Sequence, residues 1–412
     1  LPAGSLQGRI ALILRGDCTF EAKLNNAQQA GAVAALVYAA KTSPDPISMA
    51  AGASTLPAEM VSYDDGIAIK EGLAAQPALF GTLRFTVAAV PRDANRLAGF
   101  SAAGPNVDRG IKPDLVAVGA DMYVATQKLD TAGEMYNATG YIVVDGTSFS
   151  TPLVAGAAAI LKSARPGLTV DQYRSLLINT ASSIDARLGV PSSVQQSGAG
   201  QLNALAAVNG TVTVYPTALN FASGGPDPNL RASVTLTNVG ATAETYTLSV
   251  TSGIDGSAPR LSSDTVQLEA GASINVPVRW SGSSLAAGAH EGFVRISGSS
   301  SGVETRVPYW YAVTSITPAH ISILDSKTSA RRGTTSRDAI LLRVTDSAGL
   351  PLTTPPDVSI TSGGGAVSRI VSYDLDVPGL YGVDLRLGPL AGPNVVLIQA
   401  GEISTSVSIT GN

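Results

Sequence analysis

Histidine and cysteine are nearly missing from this 412-residue sequence, which contains two of the first and one of the second. The lone Cys18 cannot close an internal disulfide, so cysteine usage assigns the chain to no redox compartment. It reads as a small buried hydrophobe rather than a reactive thiol. Charge is also sparse. Charged residues are 14 % of the total, against a usual ~25 %, and the formal net charge is −4. No basic excess exists to hold nucleic acid. No apolar run approaches the ~18 residues of a membrane-spanning helix. The longest, Ala32 to Ala40, reads as a buried strand. His290 and His320 both fall in strand- and turn-rich sequence, where exposed positions are expected. An initiator Met and a secretory leader are absent too. The chain opens on Leu1-Pro2-Ala3-Gly4 and soon enters a strand-like run. That is expected of a cut point inside a longer protein, so the missing leader does not argue against export.

What is present is glycine (43), proline (24), and much serine and threonine, the composition of turn-rich β structure. The length predicts two to four domains. Residues 1–90 alternate strand and helix and predict a small α/β unit. Its elements are a strand over Gly8–Leu14, a helix over Phe20–Ala30 with Leu24 and Ala27 inward, and a strand over Ala34–Tyr38. A short helix capped by Asp64 or Asp65 follows, and Leu79–Val90 is strand-like. Residues 91–211 hold a small-residue helix over Thr151–Ala164. A second helix follows, with Thr169 as N-cap, Gln172 completing a capping box and Tyr173, Leu176 and Leu177 inward. From residue 212 apolar and polar residues alternate between Gly-, Ser- and Asn-bearing turns, which predicts antiparallel β-sandwiches over 212–314 and 315–412.

The most informative stretch is Gly146-Thr147-Ser148-Phe149-Ser150-Thr151-Pro152-Leu153-Val154-Ala155-Gly156. A nucleophilic serine needs an exposed Oγ at a sharp turn, and Gly146 and Thr147 build that turn. A following helix aims its positive end and free N–H groups at the serine, so the Ser148 N–H can serve a developing oxyanion. Pro152 fits the first helical turn, and the small residues Ala155 to Ala159 allow close packing on a sheet. The stretch resembles the serine motif of the subtilisin-like serine proteases, the subtilase family. Phe100–Pro105, Ile111–Gly119 and Gly198–Asn203 resemble further segments of it. The second is a strand in that family, and Lys112 and Asp114 read as structural. The resemblance implies Ser148 as nucleophile, an Asp and a His preceding it in the chain, and an oxyanion Asn. Both histidines follow Ser148, and Asn106 reads as a loop residue. The triad is therefore expected to lie partly outside this chain, which alone is expected to be inactive.

Residues 1–90 resemble the protease-associated domain inserted in some subtilases, through Gly8–Phe20, Lys23, Ala30-Gly31-Ala32 and Ala35–Tyr38. Arg15-Gly16-Asp17 there reads as a turn, not an integrin tripeptide. Leu236-Thr237-Asn238-Val239-Gly240 resembles fibronectin type III-like domains. Val344–Pro351 and Pro378–Tyr381 resemble bacterial Ig-like domains. The expected architecture is thus a partial subtilisin-like α/β domain, a small protease-associated α/β domain and two C-terminal β-sandwiches. The family implies an exported endopeptidase acting on protein or peptide substrates, with the sandwiches contacting a surface or matrix. The competing reading is a non-catalytic adhesin-like protein built on a protease remnant. No cofactor is expected; calcium is common in the family, but no acidic cluster marks a site. Gly298-Ser299-Ser300-Ser301-Gly302 matches the esterase pattern G-x-S-x-G, but it sits between strands and reads as a hairpin loop.

Overall fold

The computed structural model describes the chain except residues 17, 42–45, 48, 50, 77–78, 85–94, 132, 134, 188, 253–256, 283 and 374–376. Packing divides it into two compact units. The first is Leu1–Ser101 with Ala117–Gly156 and Asp185–Val190; the second is Ala102–Val116, Ala157–Ile184 and Pro191–Asn412.

The first unit begins with a parallel three-stranded sheet, β1 (Ile10–Leu14), β2 (Ala34–Tyr38) and β3 (Ala58–Val61), in that order. Between β1 and β2 runs α1 (Phe20–Gln29), capped by Thr19, whose side chain accepts the Ala22 N–H at 3.2 Å. Leu24 and Ala27 pack with Ala11, Ala35, Val37 and Leu56. Gly31 ends the turn at φ +95°, where a side chain would collide with Gln7. The next helix, α2 (Tyr63–Ala75), is capped by Ser62 and not by Asp64 or Asp65. Ser62 is extended and accepts the Asp65 N–H at 3.1 Å, so the aspartates occupy the first turn. Two other expectations fail. Leu79–Arg84 forms no strand, and residues 85–90 lie outside the described residues, as does Asp17. Cys18 is exposed, because it sits in the turn between β1 and the Thr19 cap, ahead of any core-facing position. The unit closes with the hairpin β4 (Met122–Ala125) and β5 (Tyr141–Val144), whose Tyr123 and Tyr141 rings stack at 5.3 Å.

Helix α3 (Thr147–Ala164) passes from the first unit into the second at Ala157. It starts four residues before the expected Thr151, so Ser148 is helical. Its small residues do not pack on a sheet. Ala155, Gly156 and Ala159 are exposed, and only Ala157 and Leu161 are buried, against Leu176, Leu177 and Ala207. Helix α4 (Val170–Asn179) has the expected Thr169–Gln172 capping box. The short β6 (Asp185–Arg187), β7 (Val190–Pro191), α5 (Val194–Ser197) and α6 (Ala204–Asn209) follow. Within Ile111–Gly119 only Val116 pairs, by one bridge to Gln201. The expected strand is absent because no neighbouring strand lies along it among the described residues.

Residues 212–313 form β8 (Val212–Tyr215), β9 (Leu219–Gly224), β10 (Asn229–Asn238), β11 (Glu244–Ser252), β12 (Arg260–Leu261), β13 (Thr265–Leu268), β14 (Ser273–Ser281), β15 (Gly288–Gly298) and β16 (Glu304–Val313). Two sheets, β12-β14-β10-β8 and β13-β11-β15-β16-β9, enclose one core. At its centre Trp280 meets Tyr309 edge-on at 5.2 Å. The alternation of the sequence explains this: Val234, Leu236, Val276 and Val278 point inward and their neighbours outward. Not every pairing is antiparallel, since β9 joins β16 in parallel. Asn238, the centre of the Leu236–Gly240 cue, is buried. Its amide nitrogen bonds the carbonyls of Thr242 and Leu268, and its oxygen accepts the Gly240 N–H. The polar side chain is thus satisfied and fixes the strand end.

Residues 320–411 form β17 (His320–Ser326), β18 (Ser329–Ala330), β19 (Thr335–Thr345), β20 (Asp357–Ser362), β21 (Ala366–Ser372), β22 (Leu380–Arg386), β23 (Gly392–Ala400) and β24 (Ile403–Gly411). Their sheets, β17-β19-β22-β21 and β18-β24-β23-β20, share a second core. Again one edge pairing, β18 with β24, is parallel. Asp346 in the Val344–Pro351 cue is buried, and Oδ1 accepts the N–H groups of Ala348 and Leu350 at 2.9 Å.

The second unit is held together by buried polar links. Asn179 donates to the carbonyls of Thr217 and Arg306 at 2.8 and 2.9 Å. Ser175 bonds Asn179 Oδ1 and accepts the Val214 N–H at 2.7 Å. Glu291 accepts the Val194 N–H at 3.0 Å, and burial pushes its carboxyl above the usual range. An apolar cluster of Ile111, Val194, Trp310, Ala312, Ala348 and Leu350 draws on four stretches of the chain at once.

Candidate active site

The serine turn is assembled from the β4–β5 hairpin and the segment before it. β5 leads into Asp145, Gly146 and Thr147, and α3 starts at once. Gly146 has φ +155°, a conformation that favours glycine. Its N–H donates to the Gly119 carbonyl at 2.7 Å, and the Asp121 N–H donates to Asp145 Oδ1 at 2.7 Å. Gly119 is itself demanded by the close approach. A Cβ there would lie 2.3 Å from Ser150 Oγ and 2.7 Å from the Gly146 carbonyl. The Phe149 N–H returns to the Gly146 carbonyl at 3.0 Å, and Thr151 Oγ1 donates to the Thr147 carbonyl at 3.2 Å. These bonds fix the turn from both sides.

Ser148 is exposed and is the second residue of α3. N–H groups in a first helical turn have no partner inside the helix. Among the described residues nothing accepts the Ser148 N–H, which lies in the first turn, at the positive end of an 18-residue helix. Pro152 is not in the first turn as expected but inside the helix. Its missing N–H is the one that would have bonded the Ser148 carbonyl. The helix around the serine therefore lacks one rung of its ladder. The chemical capacity of this arrangement is one exposed hydroxyl, one adjacent N–H donor and a helix dipole favouring negative charge.

The expected general base is not supplied here. No residue of the first unit, which holds Ser148, is a histidine. His290 is not exposed, as the sequence suggested, but buried in β15 with Nε2 2.8 Å from the Ala286 carbonyl. It occupies an inward position of an alternating strand. His320 is exposed on β17. Asn106 lies in a turn, its N–H donating to the Gly110 carbonyl. Lys112 and Arg174 both pair with Asp114, at 2.5 and 3.5 Å, as a surface cluster. Ser300 lies in the β15–β16 loop and its hydroxyl donates to Glu244 at 2.9 Å. Burial opposes ionisation of Glu244, but hydrogen bonds from the Ser300 N–H and hydroxyl and from the Ser301 N–H favour the charged form, and its carboxyl is held at about 2. Among the described residues no three acidic, histidine or cysteine side chains converge to hold a metal ion. No helix among them is long and apolar enough to cross a membrane.

Sequence reasoning missed Gly119, Asp121 and Asp145 as the supports of the serine turn. The only signal is the glycine that closes the Ile111–Gly119 segment.

The sequence profile of the Subtilase family matches residues 21–204. Residues 21–204 carry a subtilase domain. The subtilase match runs across position 90/91 and ends just beyond the Gly198–Asn203 segment. C5a peptidase of Streptococcus pyogenes serotype M18 is 32 % identical over 221 residues, 51 % of this chain and 18 % of that protein. Minor extracellular protease Vpr of Bacillus subtilis is 28 % identical over 247 residues, 59 % of this chain and 30 % of that protein. PII-type proteinase of Lactococcus lactis subsp. cremoris is 29 % identical over 161 residues, 38 % of this chain and 8 % of that protein. The chain spans less than a third of the length of each of these relatives.

Proposed function

We propose that the subtilase segment belongs to an exported serine endopeptidase in which Ser148 attacks the scissile carbonyl and its own backbone N–H helps bind the oxyanion. The observation that carries this reading is the fixed turn: an exposed serine hydroxyl and an unpartnered N–H, together at the positive end of α3. The general base and its carboxylate lie outside this chain, because both histidines follow Ser148 and His290 is a buried strand residue. Residues 1–90 then act as a protease-associated domain, and 212–314 and 315–412 as fibronectin type III-like and Ig-like sandwiches that hold the enzyme to a surface or matrix. Export is supported by the extracellular location that the name of Vpr states.

The test is casein hydrolysis by this chain and by the upstream-extended protein of the same reading frame. The extended protein is expected to cleave casein, and Ser148→Ala to abolish cleavage; this chain alone is expected to be inert and to leave Ser148 unlabelled by a fluorophosphonate. Stoichiometric labelling here would overturn the inertness of this chain alone and the placing of the general base outside it, whereas an extended sequence with no Asp and His upstream would overturn the endopeptidase reading and favour a non-catalytic binding protein.

A further inference from the structure

The sheet β12-β14-β10-β8 has two unlike faces. Inward it presents Val214, Leu236, Val276, Val278 and Trp280 to the core. Outward it carries three arginines in register. Arg231 on β10 lies opposite Arg279 on β14, which lies opposite Arg260 on β12. Adjacent strands are only ~4.8 Å apart, and like charges placed directly opposite destabilise a sheet. All three arginines are exposed, and among the described residues no acidic side chain pairs with them. The four strands contain no Asp or Glu, in a chain whose net charge is −4. The companion sheet treats the same problem differently: Arg295, opposite Arg306, is paired with Glu304 at 2.6 Å. Compensation is thus available to this fold and, among the described residues, is absent from one face.

The arginines are continuous with a neutral hydrogen-bonding field. Asn275 donates to Ser233 and Thr235, and Thr237 bonds Ser273, all on the outer face. Roughly 13 Å along β10 from Arg231, at ~3.3 Å per residue, Thr235 lies opposite Tyr215 of β8. Tyr215 is 63 % exposed and borders a concavity of about 210 Å³ that Thr213 and Asp171 also line.

We propose that this face binds a linear acidic polysaccharide. The guanidinium groups fork onto its carboxylate or sulfate groups, the hydroxyl and amide groups bond its sugar oxygens, and the Tyr215 ring stacks on a sugar face. Asp171, at the end away from the arginines, accepts from sugar hydroxyls. An acidic peptide would use the charge but not the hydroxyl field. The edge beside Arg260 is a two-residue strand, too short to take a peptide by strand addition.

The test measures binding of the full chain to immobilised heparin as salt is raised. Heparin is expected to bind and to be released by salt, whereas dextran does not bind. The triple variant R231Q/R260Q/R279Q should lose about tenfold or more in affinity with a thermal transition equal to or above the parent's, since the opposed charges are relieved, while Arg295→Gln binds like the parent. Tyr215→Ala should weaken binding by a smaller factor. If the triple variant fails to fold, Arg279→Gln, at the centre of the ladder, gives the same reading. The proposal is overturned by no binding at low salt, by a triple variant that binds normally, by an equal loss in Arg295→Gln, or by poly-L-glutamate binding as tightly as heparin.

Discussion

Helices α3 and α4 are neighbours in sequence and are finished very differently. α4 buries five consecutive residues, Ser175 to Asn179, and packs on α6, β8 and β16. α3 is 18 residues long yet buries only Ala157 and Leu161, and leaves Leu153 39 % and Ile160 60 % exposed. One helix is packed on three neighbouring elements. The other carries the candidate serine and leaves most of its length exposed. The serine motif is readable from its own run of residues although α3 has few packing partners, and α4 is readable from its cap and its apolar face.

The contrast can be broken most severely through activity. In the upstream-extended protein, Ser148→Ala should lower turnover by on the order of a million-fold, as measured by casein or peptide hydrolysis; a residual activity near the parent level would remove α3 from the active site. Stability comes next. Leu176→Ala on α4 should cost about 2–5 kcal/mol by denaturant unfolding, and Ile160→Ala on α3 no more than about 0.5 kcal/mol. Equal costs would mean that α3 is as well covered as α4. Asn179→Ala strands three partners and should cost about 1–3 kcal/mol. Glu244 sharpens the comparison on the β side. Its carboxyl is held at about 2, below the ~4.3 of an unfolded glutamate. Its stabilising effect is therefore full above ~4.3 and is lost as pH falls towards 2. The stability gap between parent and Glu244→Gln should accordingly be constant near neutrality and shrink across that acid window in a urea series. Thr169→Ala, which removes the α4 cap, should cost about 1 kcal/mol.

Much of the fold could be read from local pattern. The Thr169–Gln172 box, the inward pair Leu24 and Ala27, and the alternation in β10, β14 and β19 each depend on near neighbours, and each stands in the structure. The failures share a cause. The sequence predicts a buried Cys18, but its turn reaches no core. The strand- and turn-rich sequence around His290 predicts exposure, yet the residue holds an inward strand position. Ser62 caps α2 because it adopts the extended conformation just ahead of the helix, which composition does not distinguish from the neighbouring aspartates. At the candidate site the serine and its turn were legible because a family pattern spans them. Gly119 and Asp145 were not, since their roles come from a close approach between segments more than twenty residues apart.

The cluster of Ile111, Val194, Trp310, Ala312, Ala348 and Leu350 bears on how such a protein can change over generations. Trp310 is wholly buried among side chains from stretches on either side of two apparent module borders. An exchange of one β-rich stretch as a cassette would seat that ring against a surface it never matched. The borders visible in the sequence are therefore poor splice points, and these stretches are bound to diverge in concert, each constraining what its neighbours can become.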